Sequence, residues 1–157
     1  MKFFQQLIII MCFFLIITGC NTSSSVPNGF YSYEKEKVDE SIEQLEFTPN
    51  LPDYVPVAAE VLVTDQFEVA GVEVFDMTMF TNENDIFTIQ CINGKQVDDL
   101  NTTEEISISK NINGFYQEQA YSQKLQWNNN GVSYQITYRP NDGKIPVEKL
   151  IQVAASF

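Results

Sequence analysis

"KLQWNNNGVSYQITY", Lys124 to Tyr138, alternates apolar and polar side chains up to an asparagine-rich break and then resumes the same rhythm. Leu125 and Trp127 precede the break at residues 128–131; Val132, Tyr134, Ile136 and Tyr138 follow it, with Ser133, Gln135 and Thr137 between them. Successive side chains of a strand point to opposite faces, so this period of two across a break ending in Asn-Gly specifies an antiparallel hairpin with one wet and one dry side. The dry side requires cover.

Downstream, "IPVEKLIQVAASF" supplies it. Pro146 stands at a permitted first-turn position, and Leu150, Val153, Ala154 and Phe157 recur as the apolar stripe of a closing helix. Upstream, apolar runs at residues 57–67, 71–81 and 86–92 are separated by short polar breaks, the pattern of consecutive antiparallel strands, and "TNEND" joins the second to the third. Asn93-Gly94 and Asn113-Gly114 are expected to be tight hairpin turns, since both residue types tolerate positive φ. "VEVFDMTMF" is apolar on both sides, with Val72, Val74 and Phe80 on one and Phe75, Met77 and Met79 on the other. Such a strand has to be covered twice, by the core and by a helix, a ligand or a partner.

Before the strands, "EKEKVDESIEQLEF" spaces Val38, Ile42 and Leu45 as an amphipathic helix, stopped by the proline-rich "TPNLPDYVP". The order helix, many strands, helix predicts an α+β domain: a curved antiparallel β-sheet packed by an N-terminal and a C-terminal helix.

The chain opens "MKFFQQLIIIMCFFLIITGC". A bilayer-spanning helix needs about 20 apolar residues, whereas roughly 7 to 15 suit the core of a signal peptide, and the uncharged run from Leu7 to Ile17 falls in the second class. Lys2 gives the positive leading end. Ile17-Thr18-Gly19-Cys20 resembles a bacterial lipobox, which implies cleavage between Gly19 and Cys20 and acylation of the Cys20 sulfur. Each buried methylene contributes ~0.8 kcal/mol, so two chains hold a protein on a membrane where one binds reversibly. The expected organisation is a signal peptide over 1–19, a lipidated flexible tether over 20–33 built on "NTSSSVPNG", and one domain over 34–157 on the extracytoplasmic face of the cell membrane.

The formal charge of −12 excludes nucleic acid as a partner, since binding it requires cationic contacts to phosphate. Loss of Lys2 makes the balance more acidic still, which also disfavours lying flat on anionic lipid. There is no histidine, so the commonest general base and transition-metal ligand is missing, and no Ser-His-Asp or Cys-His site can be built. Of the three cysteines, Cys12 leaves with the signal and Cys20 becomes a thioether. Cys91, alternating with polar neighbours in "IFTIQCING", reads as core filling rather than a redox thiol. "SISK", Ser107 to Lys110, matches the S-x-x-K of penicillin-interacting serine enzymes, but that motif belongs on a helix, and in a strand these two residues face opposite ways. "DDLNTTEE", Asp98 to Glu105, gathers oxygen ligands for calcium, yet Glu104 stands where an EF-hand requires glycine, so it reads as a solvated acidic loop. No metal and no cofactor is expected.

With those pieces in place, the mature chain resembles the bacterial family called domain of unknown function 4367, found in envelope proteins and lipoproteins. The resemblance rests on "FTPNLPDYVP" (Phe47 to Pro56), on Leu125, Trp127, Gly131 and Tyr134 in "LQWNNNGVSY", and on "EKLIQVAASF" (Glu148 to Phe157). It implies a secreted or membrane-tethered domain, similar to the curled-sheet half barrel of lipoprotein carriers, and offers no catalytic residue. Trp127 and Tyr134 are candidate ligand-facing aromatics, with a cross-strand pair as the simpler reading. The expectation is a non-enzymatic binding domain whose partner is an apolar small molecule or an envelope protein. The alternatives are a carboxylate-dependent hydrolase of envelope polymers and a sensory or regulatory lipoprotein contacting a membrane protein.

Overall fold

The computed structural model describes residues 26–95 and 104–157. The signal segment with Gly19 and Cys20, the first residues of the tether and residues 98–103 of the acidic loop lie outside the described residues. The element order is α1 (Lys35–Ile42), β1 (Val61–Val69), β2 (Val72–Phe80), β3 (Ile86–Asn93), β4 (Glu104–Ser109), β5 (Ile112–Gln119), β6 (Ser122–Asn129), β7 (Val132–Arg139) and α2 (Val147–Ala154). All strands join one antiparallel sheet in the order β1-β2-β3-β7-β6-β5-β4. Two meanders, β1 to β3 and β4 to β7, thus meet at a seam between β3 and β7, and β1 and β4 are the open edges. This is the expected α+β architecture.

The seam has the driest side chains. Met77 faces Ile89, Ile89 faces Ile136, and Ile136 faces Leu125, a row across four strands in which every member is fully buried. Burying each such side chain contributes roughly 1.5–3 kcal/mol relative to leaving it in water. Val38 of α1, Leu51, Val55 and Val57 of the proline-rich segment, and Leu150, Val153 and Ala154 of α2 close over this inner face. The stripe read for the closing helix is therefore the buried one, with Phe157 packed just beyond it.

α1 runs beside edge strand β1. Lys37 Nζ donates to the Leu62 carbonyl at 3.4 Å, the Ser41 and Thr64 hydroxyls meet at 3.0 Å, and the Gln66 amide donates to the Ser41 carbonyl. These contacts occupy part of an edge that would otherwise invite pairing with another chain. The helix ends at Ile42 rather than running to Phe47. Its last turn carries no basic residue, and Glu43 and Glu46 follow at the end where the helix dipole disfavours negative charge.

Two expected turns are corrected. Asn113-Gly114 lies inside β5, and the chain reverses instead at Lys110-Asn111. Gly114 serves close packing: a Cβ there would lie 2.7 Å from Ile108 Cδ1 and 2.9 Å from the Gln126 carbonyl oxygen. Asn93-Gly94 ends β3 without making a hairpin, because β3 pairs with β2 and β7; Gly94 takes φ 102° and its N–H bonds the Gly131 carbonyl. The hairpin of β6 and β7 turns on Asn130-Gly131, at φ 50° and 83°, as a tight two-residue loop demands.

The chain is fastened to the domain from Phe30, before the expected start at residue 34. Tyr31 and Val55 exchange backbone hydrogen bonds of 2.9 Å, the Tyr33 hydroxyl donates to the Pro52 carbonyl at 2.6 Å, and Phe30 packs edge-on against Tyr54 at 4.9 Å. At the other end, buried Gln123 holds the segment that leads into α2. Its amide nitrogen donates to the Tyr116 hydroxyl (2.9 Å) and the Ile145 carbonyl (2.8 Å), and its oxygen accepts from the Ile145 N–H (3.1 Å). The Tyr116 hydroxyl donates onward to Glu118, whose other oxygen takes the Lys144 ammonium at 2.7 Å.

Candidate interaction face

The register between β1 and β2 decides what the outer side of the sheet displays. A tight turn at Ala70-Gly71 sets Val61 opposite Phe80, Val63 opposite Thr78, Asp65 opposite Asp76, Phe67 opposite Val74 and Val69 opposite Val72. Because Leu62, Phe75, Met77 and Met79 point into the core, all of these pairs face outward. Val61 is 50% exposed, Val63 48%, Phe67 40%, Val69 53% and Phe80 40%. The other exposed large apolar side chains among the described residues, Val26, Tyr31 and Tyr121, lie outside β1 and β2. The two-sided apolar character read from "VEVFDMTMF" is thus real, and the side holding Val72, Val74 and Phe80 is the one that faces away from the helices.

Between the two apolar ends stands a polar stripe. Asp65 and Asp76 are direct cross-strand neighbours, an arrangement that destabilises a sheet when both carry charge. Asp65 Oδ1 accepts from the Gln66 N–H at 2.9 Å. Asp76 accepts from the Thr78 hydroxyl at 2.8 Å and from Gln90 Nε2 at 2.9 Å. Gln90 in turn accepts from Gln135 (3.1 Å), and Gln135 from Gln126 (2.8 Å), so a chain of amides crosses from β6 to β2 with every N–H end directed toward the carboxylate. Such chains polarise one another and hold their members in one orientation. The ion pairs among the described residues, Lys37 with Glu34 and Lys144 with Glu118, are elsewhere. No lysine or arginine occurs in the sequence between Lys37 and Lys95, although that stretch includes Glu60, Asp65, Glu68, Glu73, Asp76 and Glu83.

Trp127 and Tyr134 sit on the opposite, inner face. They are cross-strand neighbours stacked at 5.3 Å with planes 14° apart, and Phe157 closes edge-on over both rings at 5.0 and 5.2 Å. Both are buried, and the Tyr134 hydroxyl accepts the Asn50 N–H at 3.0 Å. The Trp127 indole N–H has no hydrogen-bond partner in the structure. Near this cluster a cleft of about 320 Å³ opens between α1, the proline-rich loop and the end of the chain, lined by Lys35, Asp39, Asn50, Leu51 and Phe157 among others.

The remaining sequence candidates fall apart in space. Cys91 is fully buried on the inner face, and burial, with Asp76 adding to it, pushes its thiol well above the ordinary value, away from the nucleophilic thiolate. Ser107 lies on β4, donating to the Ser109 carbonyl at 3.2 Å, and Lys110 lies in the following turn. No group of three or more metal-ligating carboxylates or thiols gathers among the described residues, and none of the described helices is long and apolar enough to cross a membrane.

No family model, curated protein or solved structure matches the chain.

The Asp65–Asp76 pair and the one-sided exposure of β1 and β2 were not anticipated from sequence. A signal did exist: Asp65 and Asp76 are equidistant from Ala70-Gly71, so reading those two residues as a turn places the carboxylates opposite one another.

Proposed function

We propose that this chain is an extracytoplasmic bacterial lipoprotein, fastened to the cell membrane through acyl chains on Cys20, whose domain is a non-enzymatic interaction module. The observation that carries the second half is the outer face of β1 and β2: an exposed apolar surface concentrated on two strands, while the inner face is filled by the protein's own helices and rings. Exposed apolar surface gathered in one place marks an interaction site, whereas the same residues scattered singly mark nothing. The lipobox-like Ile17-Thr18-Gly19-Cys20 and the resemblance to an envelope family support the first half. Asp65 and Asp76 are cross-strand neighbours, but Asp76 is engaged by Thr78 and Gln90 and the pair lies on a sheet face between apolar side chains, which favours recognition over hydrolysis.

Labelling growing cells with radioactive palmitate tests the anchor. The wild-type chain is expected to take up label and to sediment with membranes, while Cys20→Ser takes up none and persists as the uncleaved form. A wild-type chain without label, or a Cys20→Ser chain that matures and localises normally, overturns the reading.

A further inference from the structure

We infer that the outer face of β1 and β2 docks a segment of another protein that presents a lysine or arginine flanked on both sides by apolar side chains. The inference rests on the interaction-module reading and adds the chemistry of the partner. Along β1 the exposed side chains run Val61, Val63, Asp65, Phe67, Val69; their outward neighbours on β2 are exposed Phe80, half-buried Thr78, Asp76 and Val72, and buried Val74, so a carboxylate pair sits midway between two apolar ends. A strand advances about 3.3 Å per residue, which spaces the apolar rows on either side of the pair at intervals that an extended segment with the same period of two can match. The cation belongs opposite Asp65 and Asp76. There it relieves the repulsion between them and meets no competing charge, since β1, β2 and β3 contain neither lysine nor arginine. The amide chain from Gln126 through Gln135 and Gln90 keeps the Asp76 carboxylate oriented in the free protein, so little ordering remains to be done on binding.

Charge also selects against the other occupants. A second copy related by a two-fold axis through the middle of the face would bring its own Asp65 and Asp76 onto this pair, setting like charges together in an interface. An anionic lipid surface is repelled in the same way.

The test uses the full chain in detergent and two fluorescent peptides that alternate threonine with isoleucine and valine around a central residue, lysine in one and glutamate in the other. Anisotropy is expected to show the lysine peptide binding at least about tenfold more tightly at low salt, with the preference shrinking as salt rises. Asp65→Asn with Asp76→Asn abolishes the preference, while Val63→Ser with Phe67→Ser weakens both peptides; emission from Trp127, on the far face, reports that the fold is intact. Equal binding of the two peptides, binding of neither, or a preference that survives loss of both carboxylates overturns the inference. So does self-association of the wild-type chain in sedimentation that Phe67→Arg reverses. Palmitate labelling of the Asp65→Asn, Asp76→Asn chain is read separately and is expected to be unchanged, so failure of the docking inference and failure of the anchor reading give different results.

Discussion

Ala70 holds a left-handed backbone, φ 52°, at the first position of the β1–β2 turn, ahead of Gly71 at φ 79°. Left-handed geometry costs an ordinary side chain about 1–2 kcal/mol, and asparagine tolerates it because its short polar side chain bonds locally. Ala70→Asn is therefore expected to raise stability by about 0.5–1 kcal/mol, read as a later midpoint in urea denaturation, with the exposed face unchanged. Gly114 is the opposite case. Its conformation is ordinary, but a methyl group would press on the Gln126 carbonyl, which is backbone and cannot swing aside. Gly114→Ala is expected to cost about 1–3 kcal/mol in the same measurement.

Gln123 joins two strands to the segment before α2, and all of its hydrogen-bonding capacity toward Ile145 and Tyr116 is used inside the protein. Gln123→Leu keeps the volume but leaves the Ile145 amide and carbonyl short of partners, so about 2 kcal/mol or more of stability is expected to be lost, with faster amide exchange after β7 as the local signature. The same network has an acid limit. Hydrogen bonds from Lys144 and then Tyr116 hold the Glu118 carboxyl below its ordinary value. A depressed carboxylate contributes stability above its unfolded value, about 4.3, and that contribution disappears as pH falls through the lower folded value. Thermal scans below about pH 5 are expected to show a steeper loss in wild type than in Lys144→Met.

These elements also show what a sequence discloses. The hairpin from Ser122 to Arg139 was legible because alternation and Asn-Gly turn chemistry agree there. "NINGFY" misled because glycine has two uses, and only the approach of Ile108 and Gln126 reveals which one applies. The two apolar sides of β2 were legible, but which of them the helices cover depends on α1 and α2 lying on the same side of the sheet, a long-range fact that no local pattern carries. Asp65 and Asp76 were each visible as single letters; their juxtaposition needed the register.

At the scale of the whole molecule, every strand pair except β3 with β7 joins neighbours in sequence, so the seam of Phe87, Ile89 and Cys91 against Tyr138, Ile136 and Tyr134 is what makes two meanders one sheet. Tyrosines crowd this core. Burial raises the phenols of Tyr33, Tyr134 and Tyr138 above their ordinary value, and that of Tyr116 as well, where the hydrogen bond from Gln123 pulls the other way. A phenol that keeps its proton more firmly when folded adds stability that is fully present below about pH 10 and is lost as pH climbs through the folded value. Denaturation midpoints are therefore expected to drop between about pH 9 and about pH 11, by less in Tyr138→Phe than in wild type.

The missing cations of the first meander have a practical side. Trypsin finds no bond to cut from the residue after Lys37 to Lys95, and amine-reactive dyes, biotin esters and lysine cross-linkers find no ammonium on β1, β2 or β3. A reporter attached through lysine therefore leaves the Val63–Phe67 surface chemically untouched, and a digest returns the strands that bear it as one uninterrupted peptide.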